Sequence, residues 1–244
     1  MINKEWTKKL LEPVRGLESK LFTEKFVAQC IGHGADVNFM DESIRVSATQ
    51  YAALCAKPSV LALVLDAGGD PDTPDWYGRP PLACLTASLI SATRTQEDVL
   101  ECIDLLAEHG ANFNAVCSNS FEEPILHRFA QEFSPEIVRR IIEYGADPCG
   151  VDREGRTALS MCAYRADTIG VAIEILQARG LGPDDPIAGF AGKTAWDLCR
   201  GKVDHLAEVE DWAYRLKTEG VMREIEKSMD GVKPSSAKRG MSPL

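Results

Sequence analysis

Long hydrophobic runs are missing from this chain. The most apolar stretch, Val60-Leu61-Ala62-Leu63-Val64-Leu65, stops at Asp66, far short of the roughly 20 residues needed to cross a bilayer. No membrane partner is expected. Met1 to Lys9 lack the apolar centre of a secretory signal. Basic residues are in deficit, with 27 Lys and Arg against 37 Asp and Glu and a formal charge of −10. A nucleic-acid binder wants the opposite balance, because neutralised phosphates supply most of the affinity, so no nucleic-acid partner is expected either. Paired-cysteine metal spacings are absent as well. The eight cysteines, at 30, 55, 84, 102, 117, 149, 162 and 199, include no CxxC pair. Most read as small apolar groups buried on helices in a reducing compartment. There is no Gly-rich phosphate loop, no GxSxG and no HExxH. The four histidines fall at helix ends or helix starts, with His205 beside Asp204 in the last helical stretch. The chain therefore reads as no enzyme, with no catalytic residue, no metal site and no cofactor.

What is present is repetition. One phrase recurs as Gly34-Ala35-Asp36-Val37-Asn38, Gly68-Gly69-Asp70-Pro71-Asp72, Gly110-Ala111-Asn112-Phe113-Asn114 and Gly145-Ala146-Asp147-Pro148, with a worn copy at Gly180-Leu181-Gly182-Pro183-Asp184. The leading glycines are spaced 34, 42, 35 and 35 residues apart. An apolar run at helical spacing precedes each phrase, such as Val99, Cys102, Ile103, Leu105 and Leu106. A glycine directly after such a run suits the left-handed residue that ends a helix. A second phrase falls between the glycines and opens another short helix: Thr49-Gln50-Tyr51-Ala52, Pro80-Pro81-Leu82-Ala83, Pro124-Ile125-Leu126-His127, Thr157-Ala158-Leu159-Ser160 and Thr194-Ala195-Trp196-Asp197. Each unit is thus loop, helix, tight turn, helix, loop.

The two phrases together resemble the ankyrin repeat family, whose pattern runs D-x-x-G-x-T-P-L-H-x-A-A, a second helix, then G-A-D-x-N. Asp152-Arg153-Glu154-Gly155-Arg156-Thr157-Ala158-Leu159-Ser160-Met161-Cys162-Ala163 is the best single copy, and only His127 keeps the family's histidine. The resemblance implies an all-α solenoid of about five to six stacked repeats with helical caps. A lone helix pair cannot bury both faces, so stacking is what makes such a unit stable. An insertion near Ser88–Gln96 is expected to lengthen one turn between helices. Residues 1–23 are expected to form an N-terminal cap, with Trp6, Leu10, Val14, Leu17 and Leu21 on one face and a break near Pro13. Residues 24–216 carry the repeats. Residues 217–244 read as a short helix and then, from about Lys227, a mobile tail poor in apolar residues.

In this family the loop tips and the exposed side of the first helices form a concave binding surface. Carried over by position, that gives Trp76, Tyr77 and Arg79 at one tip. Phe121 and Glu123 mark the next, with Gln131 and Glu132 behind. Arg153, Glu154 and Arg156 follow, with Tyr164 and Arg165 behind, and then Phe190 and Lys193. Rings and arginines are the types enriched at binding hot spots. Acids collect instead on the second helices, at Glu97, Asp98, Glu101, Asp104 and Glu108 among others. The chain is read as a monomeric, cytoplasmic adaptor or regulator that binds a protein partner, an acidic or mixed segment of it entering the concave side. Two alternatives stand beside this. One is an inhibitor or immunity protein masking a basic enzyme or toxin with its acidic face. The other is a bacterial-type effector delivered into a host cell.

Overall fold

The computed structural model describes residues 2–16, 18–40, 45–87, 94–117, 122–162, 169–187, 193–198 and 203–230. Phe121, Tyr164, Arg165, Phe190, Leu17 and the tail after Asp230 lie outside these. Two units are present, Met1–Leu181 and Gly182–Leu244.

The first unit opens with α1 (Lys4–Leu10) and α2 (Glu12–Arg15). They part at Leu11, ahead of Pro13, because a proline cannot donate within a helix and crowds the turn before it. Leu10, Leu11 and Val14 are buried, but Leu21 is 56% exposed and Phe22 takes the buried place expected for it. Trp6 stacks on His33 with ring centroids 4.0 Å apart. There follow α3 (Glu24–Gly32), then α4 (Ala48–Leu54) with α5 (Pro58–Asp66), and α6 (Pro81–Cys84) with α7 (Gln96–Glu108). A short antiparallel pair, β1 (Val116–Cys117) and β2 (Glu123–Pro124), leads into α8 (Ile125–Glu132) with α9 (Pro135–Glu143), and α10 (Ala158–Cys162) with α11 (Ile169–Ala178) closes the unit. α6 ends at Cys84 and α7 begins at Gln96, against Cys55–Lys57 between α4 and α5; residues 88–93 of the expected insertion lie outside the described residues.

The first helices α4, α6, α8 and α10 pack in one row, and the second helices α3, α5, α7, α9 and α11 in another. Between the rows lies a continuous apolar core that includes Tyr51, Leu61, Leu82, Ile103, Leu106, Ile125 and Phe129. Six cysteines (30, 55, 84, 102, 117 and 162) are buried, while Cys149 is exposed. Burial pushes the Cys84 thiol up to about 12 and the Cys117 thiol up to about 11, so neither supplies a thiolate near neutral pH.

Each second helix ends in the same way. Gly34, Gly68, Gly110, Gly145 and Gly180 have φ between 70° and 97°, and the next residue's N–H reaches back five positions, as in Ala35 to Cys30, Ala111 to Leu106, Ala146 to Ile141 and Leu181 to Leu176. These bonds satisfy carbonyls that would otherwise be orphaned at the helix end. The worn copy at Gly180 is thereby a working cap.

The start of α4 corrects the register read from sequence. Thr49-Gln50-Tyr51-Ala52 lies inside the helix. The capping residue is Ser47, whose hydroxyl accepts from the Gln50 N–H while the Gln50 side chain accepts from the Ser47 N–H. Ser47-Ala48-Thr49-Gln50 is therefore the true counterpart of Pro124-Ile125-Leu126-His127, and Gln50 stands in the histidine's place. The serine satisfies the same helix-start donors as threonine does. At His127 the residue three positions earlier is Pro124, which has no N–H to give, and the buried His127 Nδ1 is without a partner.

In the second unit, α12 (Ala195–Leu198) precedes α13 (Val203–Asp230). The closing helix is longer than expected and runs through Lys227 to Asp230. Strong helix formers and the i, i+4 pairs Asp211–Arg215 (3.0 Å) and Glu219–Arg223 (3.8 Å) carry it past Gly220. Val209 and Trp212 are buried, whereas Leu216 is 37% exposed. Among the described residues no helix is long and apolar enough to cross a membrane.

Candidate functional site

Three kinds of bond tie one repeat to the next and so fix where the loops point. The first is an asparagine bridge. Asn38 donates from Nδ2 to the Gly68 carbonyl (2.7 Å) and accepts at Oδ1 from the Asp70 N–H (2.8 Å). Asn114 does the same to Gly145 and Asp147, both at 2.8 Å. At the intervening step the residue is Asp72, which accepts from the Asn112 N–H (2.8 Å) but has no donor to offer. The N-terminal cap imitates the bridge. The Asn3 N–H reaches the Gly34 carbonyl (2.7 Å) and the Thr7 hydroxyl accepts from the Asp36 N–H (2.8 Å).

The second tie joins a first helix to the following finger. His127 Nε2 meets the Arg156 carbonyl at 2.7 Å, and Gln50 Nε2 donates to Thr73 O at 2.8 Å and Arg79 O at 3.3 Å. The third tie crosses the second helices. Arg140 contacts both Asp104 oxygens at 2.6 and 2.7 Å, with the Tyr144 hydroxyl on the same carboxylate at 2.8 Å. Arg139 lies 3.9 Å from Glu174 and His109 3.4 Å from Asp66. The acidic load expected on this face is thus partly met by bases from neighbouring repeats.

Two fingers share one internal clasp. In Asp75-Trp76-Tyr77-Gly78-Arg79, Asp75 Oδ1 accepts from the Tyr77 and Arg79 N–H groups (2.8 and 2.9 Å), and Oδ2 accepts from Arg79 Nε (2.9 Å) and Nη2 (2.6 Å). In Asp152-Arg153-Glu154-Gly155-Arg156, Asp152 Oδ1 accepts from Glu154 and Arg156, both at 2.9 Å, and Oδ2 from Arg156 Nε at 2.7 Å. The glycines take φ of 68° and 75°, a region that a Cβ disfavours. Burial alone would raise the Asp152 carboxyl, but the Arg156 N–H, its guanidinium and the Glu154 N–H hold it below the ordinary 3.8. In the finger between these two, Cys117 occupies the place of the aspartates and pairs with Glu123 across the β1–β2 bridge.

The clasp sorts the residues singled out by sequence. Trp76 and Tyr77 project from the turn and are 63% and 66% exposed. Arg153, Glu154, Glu132 and Lys193 are exposed too. Arg79 and Arg156 are drawn back onto their aspartates, so a good part of their hydrogen-bonding capacity is spent inside the finger. Glu123 accepts from Gln131 Nε2 (3.1 Å) and lies 3.6 Å from Arg128, which ties the finger to the face of α8. Sequence reasoning missed Arg45, whose guanidinium lies over the Trp76 ring at 5.7 Å, as that of Arg79 lies over Tyr77 at 5.0 Å. The signal was available, because Arg45 follows its capping glycine by the same eleven residues as Arg79 and Arg156. Among the described residues no group of His, Cys, Asp and Glu converges as a metal site.

Stacked two-helix units tied at three points define a repeat protein of the solenoid class. Residues 89–184 match the family model for ankyrin repeats, in three copies. Those residues carry ankyrin repeats, the mostly helical structure fits an all-α ankyrin solenoid, and such repeats are in general modules for protein–protein contact. A curated relative, the transient receptor potential cation channel protein painless of Drosophila melanogaster, is 32% identical over 105 residues. That segment is 42% of this chain and 11% of the relative, so the chain spans about a tenth of the length of the curated protein it matches.

Proposed function

We propose that this chain is a non-catalytic adaptor or regulator that binds a protein partner through its finger tips and the adjoining first helices. The observation that carries this reading is the pair of large rings, Trp76 and Tyr77, held in the open by a turn that closes without them. Such rings lose little conformational freedom on binding and offer a wide apolar surface with a polar edge. Arg153, Glu154 and Glu132 are further members of the proposed surface. Arg79, Glu123, Gln131 and Arg156 act within it mainly as braces. Phe121, Tyr164, Arg165, Phe190 and Lys193 belong to the same proposal by position in the sequence alone.

The test is a variant with Trp76→Ala and Tyr77→Ala, compared with the unaltered chain for the protein that the latter retains in affinity capture. With the helical circular dichroism unchanged, affinity is expected to fall about 30-fold or more, equivalent to about 2 kcal/mol. Equal retention by both chains overturns the placement.

A further inference from the structure

We infer that the finger-tip surface recognises an acidic peptide segment, with Arg45 receiving a carboxylate beside an apolar side chain that packs on Trp76 and Tyr77. This rests on the finger-tip reading above and gives it a chemistry.

Arg45, Arg79 and Arg156 each follow their capping glycine by eleven residues, but Arg45 stands two residues before its helix-capping Ser47 where Arg79 directly precedes Pro80, and they are used differently. Arg79 and Arg156 turn back onto the aspartates of their own fingers at 2.6 and 2.7 Å. Arg45 is exposed, and its guanidinium lies over the indole of the following finger at 5.7 Å. No carboxylate among the described residues pairs with it. Its backbone is left-handed, with φ of 43°, a conformation that costs a branched or bulky side chain energy and is retained where the surroundings impose it.

The contact with the ring uses the charge of the guanidinium and none of its N–H donors. Those donors form a planar fork that matches a carboxylate, and the ring beside it limits where the side chain can lie. The result is a donor fork for one anionic group, with two exposed rings next to it for apolar contact. A polyanion fits less well. A chain of net charge −10 repels a long run of phosphates, whereas one or two carboxylates on a peptide meet chiefly the local field of Arg45.

The experiment is selection from a random twelve-residue peptide display library on the immobilised full chain. Enriched peptides are then synthesised with a fluorophore and titrated by anisotropy. Enriched peptides should carry Asp or Glu next to an apolar residue. Arg45→Gln should weaken them at least tenfold. Changing the peptide's Glu to Gln should weaken binding to the unaltered chain by a similar factor and have little further effect on the Arg45→Gln variant. Because Arg45 is exposed, the variant should melt like the parent. Peptides that are lost with Trp76→Ala but lack an acid and ignore Arg45→Gln overturn this inference while leaving finger-tip binding in place. Peptides indifferent to both changes, or an empty selection, overturn both. A twelve-nucleotide single strand bound as tightly as the peptides, and dependent on Arg45, assigns the platform to phosphate and overturns the inference as well.

Discussion

Replacing Asn114 measures how much one asparagine bridge contributes to holding two repeats together. Asn114→Ala removes a donor to the Gly145 carbonyl and an acceptor for the Asp147 N–H, both at 2.8 Å. A neutral hydrogen bond contributes about 0.5–1.5 kcal/mol net. Both bonds are solvent-exposed, so water takes up part of the loss, and the expected destabilisation is about 1–2 kcal/mol. Asn114→Asp keeps the acceptor and loses the donor, and should cost roughly half as much. The reverse change is available one bridge earlier. Asp72 already accepts from Asn112, so Asp72→Asn supplies the missing donor and should stabilise by about 0.5–1 kcal/mol. Urea unfolding followed by circular dichroism reads all three as shifts in midpoint at constant slope. An Asn114→Ala variant that unfolds with the parent refutes the reasoning, and so does an Asp72→Asn variant that unfolds earlier.

Two further outcomes follow from local geometry. Gly69 stands where the other phrases have Ala35, Ala111 and Ala146, so Gly69→Ala looks harmless by comparison among repeats. A Cβ there would lie 2.7 Å from both the Thr49 hydroxyl and the Val64 carbonyl, and the melting temperature should drop by an amount equivalent to about 1–3 kcal/mol of overpacking. An unchanged melting temperature would show that α4 and α5 yield there. The acids Asp70 and Asp152 are held below their ordinary 3.8, Asp70 chiefly by the Thr73 hydroxyl and the Asp72 N–H. A carboxyl depressed in the folded chain adds stability above its unfolded value and loses it as pH falls through the folded one. The stability should therefore decline as pH drops below about 4, and the decline should be shallower in Asp152→Asn. Identical pH slopes in parent and variant would remove Asp152 from the account.

The architecture was legible because its signals are local and redundant. Gly34, Gly68, Gly110, Gly145 and Gly180 each follow an apolar helix, and a left-handed cap admits few other residues. The register of α4 was not legible in the same way. Thr49 imitates the family's threonine, and only the reciprocal bonding of Ser47 and Gln50 shows which residue starts the helix. The exposed tip pair was found from its place in the repeat. The bonding of Arg79 and Arg156 within their own fingers was not legible, because a charged residue in a loop reads as available until its partner is known. Their partners, Asp75 and Asp152, sit four residues away and point inward, and spacing alone does not reveal that direction. Arg45 was overlooked because its contact, Trp76, lies in the next repeat.

The aspartate–arginine clasp separates what builds a finger from what the finger displays. Asp75, Gly78 and Arg79 close one loop and Asp152, Gly155 and Arg156 the other, and the dipeptides Trp76-Tyr77 and Arg153-Glu154 ride on that frame, touching it through Tyr77 under Arg79 at 5.0 Å and Glu154 on Arg156 at 3.1 Å. The displayed pair and the closing triad are in the main separate sets of residues. On the finger-tip reading proposed above, specificity is stored as a two-letter insert, open to revision one loop at a time.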